Sequence, residues 1–170
     1  MNLRTIFFFL AATIAAAAQT EDEWNAPLQK ALETANVLHV RSESFIIHLP
    51  PLNALHSDPK IRGVIKKEFF IENADLVRDV IRHIQIINPK GEGYSHCLCY
   101  RNPHFDFYEN DKFLLSLSLH HGTKFRWKEG KWKGDAYLSS ESSEFLVKWL
   151  TDLGIDELKK EIEARKKKPE

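Results

Sequence analysis

The sequence predicts an α+β fold: a two-layer sandwich in which a mostly antiparallel sheet, with a meander over residues 94–132, is packed by two amphipathic helices at about 73–87 and 140–153. Two helical stripes carry the first half of that expectation. Leu76, Val77, Val80, Ile81 and Ile84 recur at i, i+1, i+4, i+5 and i+8, and Phe145, Leu146, Trp149, Leu150 and Leu153 repeat the same spacing. The second half comes from Phe113 to His121. There Phe113, Leu115, Leu117, Leu119 and His121 fall on one side of a strand, and Leu114, Ser116, Ser118 and His120 on the other. The turn pairs Asn110-Asp111 and Gly122-Thr123 beside it are tight enough to join only antiparallel neighbours.

The elements follow in order. Trp24, Leu28, Ala31, Leu32 and Ala35 keep helical spacing between Glu21 and Asn36, which predicts a first short helix. Val37 to Val40 alternates weakly, and Phe45-Ile46-Ile47 suits a short strand. Pro50, Pro51 and Pro59 remove backbone donors and mark an irregular loop. From Ile61 to Ile71, β-branched and aromatic residues predict another strand. Asn73 is a good N-cap for the helix after it, and Pro89, Gly91 and Gly93 break the chain beyond. Tyr94 to Tyr100 is strand-like, and His104 to Tyr108 alternates with Phe105 and Phe107 on one face. Phe125 and Trp127 extend the meander, and Glu129-Gly130 turns it again towards Trp132. Ser139 or Ser140 caps the second amphipathic helix, which Gly154 ends, and a polar helix trails from about Asp156.

Composition sets the limits. The chain has 170 residues, 43% hydrophobic, with 24 basic residues against 24 acidic and only two cysteines. Such a chain is neither a disulfide-dense mini-protein nor a disordered charged tail. Its zero formal charge gives no electrostatic reason to expect a nucleic acid as partner. Met1 to Ala18 reads as a signal peptide: Arg4 supplies the positive charge, Ile6 to Ala18 is almost wholly apolar, and Ala16 and Ala18 offer the small residues of a cleavage site. The expected division is therefore a leader at 1–18, one α+β domain at 19–155 and a polar helical tail at 156–170. The mature chain holds no run long and apolar enough to span a bilayer, so export to the periplasm or the medium as a soluble protein is expected.

Chemistry concentrates between residues 96 and 126. His96-Cys97-Leu98-Cys99 lies in a strand-like stretch, where the two cysteines share a face with α-carbons about 6.6–6.8 Å apart. That is the far edge of disulfide reach, and an oxidising compartment would favour the pairing. Two thiolates on one face are equally soft ligands for zinc or copper, and two small buried side chains are the plainer reading. His120-His121 sends one imidazole to each side of the sheet, so Cys97, Cys99 and His121 form the numerically sufficient metal set. Arg126 beside Trp127 can grip a carboxylate or a sugar ring. Ser116, His120 and Asp106 make a triad on paper, but no spacing favours it, and no G-x-S-x-G, H-E-x-x-H or phosphate loop is present.

The stretch His96-Cys97-Leu98-Cys99-Tyr100, Leu119-His120-His121-Gly122 and Arg126-Trp127 resembles a group of uncharacterised bacterial exported proteins with HCxC, LHHG and RW signatures. The resemblance covers about residues 95–155 and departs at Arg101, where a glycine often follows in that group. It implies a bacterial origin and a shared site at His96, Cys97, Cys99, His120, His121 and Arg126, with no activity or cofactor attached. The functional expectation is a non-enzymatic exported domain that binds a small ligand, a metal ion or a protein partner through these residues. The alternative is a periplasmic enzyme with Cys97 or Cys99 as nucleophile or redox centre.

Overall fold

A computed structural model describes residues 24–48, 60–87, 103–127, 130, 132 and 134–167. Helix α1 covers 24–32 and buries Trp24, Leu28 and Leu32 one turn apart. It stops short of the expected Asn36 because the chain turns at 33–34, with the Ala35 amide donating to the Leu32 carbonyl at 3.0 Å. Strand β1, Val37–His48, is one continuous element rather than two short ones. Leu38 and Val40 point inward, while His39 and Arg41, which alternate with them, lie on the opposite face. Strand β2, Lys60–Ile71, pairs along its length, with Lys66 as an extra residue opposite Ser42 and Glu43.

Helix α2 is Ala74–Arg82, capped by the Asn73 side chain, which accepts from the amides of Asp75 and Leu76 at 3.0 and 3.2 Å. It is shorter than the expected 73–87. Ile84 is buried beyond its end, and Ile86–Ile87 form the short strand β3. The Asn25 side chain fixes β3 by donating to the Ile86 carbonyl at 2.7 Å and accepting from the Ile86 amide at 3.0 Å, as a neighbouring strand would. The buried stripe of α2 is Val77, Val80 and Ile81, while Leu76, expected in that stripe, is exposed.

Strands β4, Pro103–Glu109, and β5, Lys112–His120, form the hairpin expected at Asn110, whose φ is +53°. The hairpin contains a bulge: Tyr108 faces Phe113 and Phe107 faces Leu115, leaving Leu114 as the extra residue. One inserted residue reverses the facing of everything before it, so Phe113 leaves the Leu115–Leu117–Leu119 row and is 47% exposed. Strand β6, Lys124–Trp127, follows a tight turn, and β7, Ala136–Leu138, is a strand the sequence did not announce. The meander therefore runs from Pro103 to Leu138 among the described residues, while Tyr94 to Tyr100 lies outside them.

The seven strands form one open sheet in the order β2-β1-β4-β5-β6-β7-β3, with every pairing antiparallel. Helix α3, Ser140–Asp152, buries Leu146 and Leu150 and partly buries Phe145 and Trp149. Gly154, at φ +79°, ends it where expected. Its amide donates to the Thr151 carbonyl and the next amide, of Ile155, to that of Leu150, both at 2.8 Å, which satisfies the last turn. The Lys67 ammonium also reaches the Gly154 carbonyl, tying β2 to this end of the helix. Helix α4, Glu157–Lys166, is held by buried Leu158.

Gly122 explains how α3 and α4 approach the β5–β6 turn. Its φ is +74°, and a Cβ there would lie 2.9 Å from Val147 and 3.2 Å from Ile162. Apolar side chains from all four helices meet one face of the sheet in a single cluster, centred on Leu38, Phe105, Leu117 and Phe125. Because strand residues alternate, the opposite face carries the polar set. No described helix is long and apolar enough to cross a membrane.

Candidate functional site

The polar face is organised by register. In one row, Phe70 of β2 faces His39 of β1, which faces Asp106 of β4, which faces Ser116 of β5. In the next, Glu68 faces Arg41, then His104, Ser118 and Arg126, and Arg126 reaches Asp135 at the start of β7. Partners opposite one another in such a ladder have β-carbons about 4.5–5.5 Å apart, so each row is a line of touching side chains. Imidazoles, guanidinium groups and carboxylates are gathered here on the side away from the helices.

Much of this polarity is buried. Asp106 is 5% exposed, Asp135 4% and His120 2%. Arg126 donates through Nε and Nη2 to the two carboxylate oxygens of Asp135, at 2.6 and 3.1 Å. This fork geometry is the strongest pairing these groups make. Arg41 Nε donates to Asp106 Oδ2 at 2.7 Å, and the same guanidinium pairs with Glu43. His39 lies between two carboxylates, with Nε2 3.2 Å from Glu68 and Nδ1 3.8 Å from Asp106. Its ring stacks flat on Phe70 with centroids 4.0 Å apart. The remaining oxygen of Asp106, Oδ1, is buried and accepts from no described group.

His120 is held by Ser118, whose Oγ lies 3.0 Å from Nε2. Burial, and then the nearby Arg126 guanidinium, lower its pKa from the usual 6.5 to about 4, which keeps the imidazole neutral at physiological pH. Stability then depends on pH with a definite sign. The unfolded chain takes up this proton near 6.5 and the folded one only near 4, so the folded state has its full advantage above pH 6.5 and loses it as the pH falls towards 4. The loss amounts to about 3 kcal/mol for this one group. Urea denaturation of the wild type and His120→Asn at about pH 7.5 and about pH 4.5 measures it. The variant is expected to show the shallower pH dependence.

Of the six residues expected to share a site, the structure brings His120 and Arg126 to one face, on neighbouring strands and one step apart in register. His121 goes elsewhere. The strand ends at His120, and His121 takes φ +55°, so it opens the turn instead of continuing the buried apolar row. It is half-buried, with Nδ1 2.6 Å from Glu161 Oε1 and 2.7 Å from Arg165 Nη2 on α4. His96, Cys97 and Cys99 lie outside the described residues. Among the described residues no three His, Cys, Asp or Glu side chains are placed to hold a metal ion. The paper triad is also not assembled: Ser118 rather than Ser116 meets His120, and Asp106 is engaged by Arg41.

His39, Arg41, Glu43, Glu68 and Asp135 were not singled out from the sequence. A signal for the first three exists in Val37 to Glu43, where Leu38 and Val40 alternate with His39, Arg41 and Glu43. That is the pattern of a strand with one wet face. The fold and the site together define an α+β protein whose sheet carries paired charges and imidazoles on the face opposite the helices. No protein-family model matches the chain, and no curated protein or solved structure matches it.

Proposed function

We propose that this chain is an exported, non-enzymatic binding domain whose ligand lies on the polar face of the sheet. One observation carries the reading: Asp106, Asp135 and His120 are each at least nine-tenths buried on the face opposite the helices. Burying paired charges gives little or no net stability compared with apolar residues of similar volume. A sheet that needed only a second packed layer would be served better by leucine and valine, whereas convergent polar groups are what a ligand site requires. Export rests on the leader-like pattern from Arg4 to Ala18.

The test is chemical-shift mapping of the full-length mature protein against small cations, anions and polyols. The expected result is saturable change confined to residues of β1, β4 and β5 on the polar face. Change only at the helices, or none with any probe, would overturn the reading. N-terminal sequencing of the exported protein is expected to start at Gln19. The thiol-enzyme alternative rests on Cys97 and Cys99, outside the described residues, and no described residue supports it. Alkylation of the native protein decides that question directly, since a catalytic thiolate reacts without denaturant.

A further inference from the structure

Among the described residues, the polar face has a charge deficit at one place. Ion pairs connect Arg41 to Glu43 and Asp106, and His39 to Glu68 and Asp106. Imidazoles aside, this connected network sets three carboxylates against one guanidinium among the described residues. Lys66, the extra residue of β2, is exposed and forms no ion pair with it among the described residues. The shortage coincides with an open acceptor. Asp106 is 5% exposed, its Oδ2 is taken by Arg41, and its Oδ1 has no donor among the described residues. A buried carboxylate oxygen left in this way costs about 1–3 kcal/mol, and a bound group that donates to it recovers that cost.

We infer that the ligand of this face is a small organic cation, a primary ammonium or guanidinium carrying an alkyl stem, whose N–H donates to Asp106 Oδ1 between β4 and β1. Three features select that class, given the binding reading above on which it rests. Asp106 Oδ1 as a carboxylate oxygen accepts only, which rejects a carboxylate or phosphate at that point. The described residues offer no three ligands for a metal ion. Phe70, 63% exposed and stacked on His39, gives an apolar rim along which a stem lies. Glu68 stands beside it, half exposed, to receive the approaching charge.

The experiment is an NMR titration of the full-length mature protein with n-butylammonium chloride and methylguanidinium chloride, and in parallel with glucose and sodium acetate. Both cations are expected to give saturable shifts at His39 and Asp106 with a dissociation constant of roughly millimolar order. Asp106→Asn is expected to weaken them about tenfold or more. Glu68→Gln, which alters an exposed side chain, should weaken them roughly twofold to fivefold with little change in melting temperature. It carries the test if Asp106→Asn does not fold. Saturation by glucose or acetate with only linear shifts from both cations would overturn the cation assignment and leave the binding reading standing. Silence from all four probes at the polar face would overturn both.

Discussion

Replacing Asp135 by alanine is expected to destabilise the protein by about 3–5 kcal/mol, an effect as large as removing a core aromatic. Its carboxylate is wholly buried and receives two hydrogen bonds from Arg126. Removing it leaves a partly buried guanidinium without that carboxylate in a region of low dielectric, where the cost of an uncompensated charge far exceeds the net worth of the pair. The double replacement Arg126→Met with Asp135→Leu is therefore expected to recover most of the loss, because the charge goes with its partner. Lys148→Ala is the contrast. That lysine pairs with Asp152 one turn away, both are well exposed, and the expected change is about 0.5 kcal/mol or less. Urea denaturation of the four proteins checks all three statements. A double variant no more stable than Asp135→Ala would mean that Arg126 and Asp135 act through other neighbours and not through each other.

What the sequence made legible was whatever depends on short-range period. The 3.6-residue stripes of α2 (without Leu76, which is exposed, and Ile84, which lies beyond the helix) and α3, the Asn73 and Ser139 caps, the Gly154 stop and the Asn110 turn are all local, and all are in the structure. What it hid depends on register, which is settled between strands. The bulge at Leu114 turned Phe113 outward, although alternation alone placed it inward. The left-handed turn at His121 removed that residue from the row it would have continued. Strand β3 was absorbed into a helix because Ile84, Ile86 and Ile87 are apolar in either conformation. The amide of Asn25, 61 positions away, is among the contacts that hold it as a strand.

The candidate site follows the same division. His120, Ser118 and Asp106 could be placed on one side of their strands from alternation. The arrival of His39 and Arg41 beside Asp106 comes from the β1–β4 pairing between segments some 65 residues apart. Asp135 was invisible for a related reason. Three residues of β7 give too short a pattern to read, yet their pairing with β6 is what delivers the carboxylate to Arg126. An acidic residue in a sequence looks solvated until its neighbours are known.

Phe105→Ala is expected to cost about 3–5 kcal/mol, the range for emptying an aromatic site in a packed core. Phe105 is fully buried at the centre of the sheet. Its ring meets Phe125 edge-on at 5.4 Å and stacks with Trp149 of α3 at 6.1 Å, so it joins the β6 strand to the covering helix. Phe113→Ala tests the bulge beside it. Had Phe113 continued the inner row, its loss would be comparable. Turned outward against Tyr108, with ring centroids 5.6 Å apart, it should cost about 1 kcal/mol or less. The two replacements also separate the faces of β4. His104 and Asp106 flank Phe105 in the chain and point the other way, so a cavity under β4 loosens the strand that presents them. Phe105→Ala is therefore expected to weaken binding at the polar face even where the protein remains folded. Phe113→Ala should change that binding little. Equal losses of stability from the two would place Phe113 in the core and remove the bulge from the account.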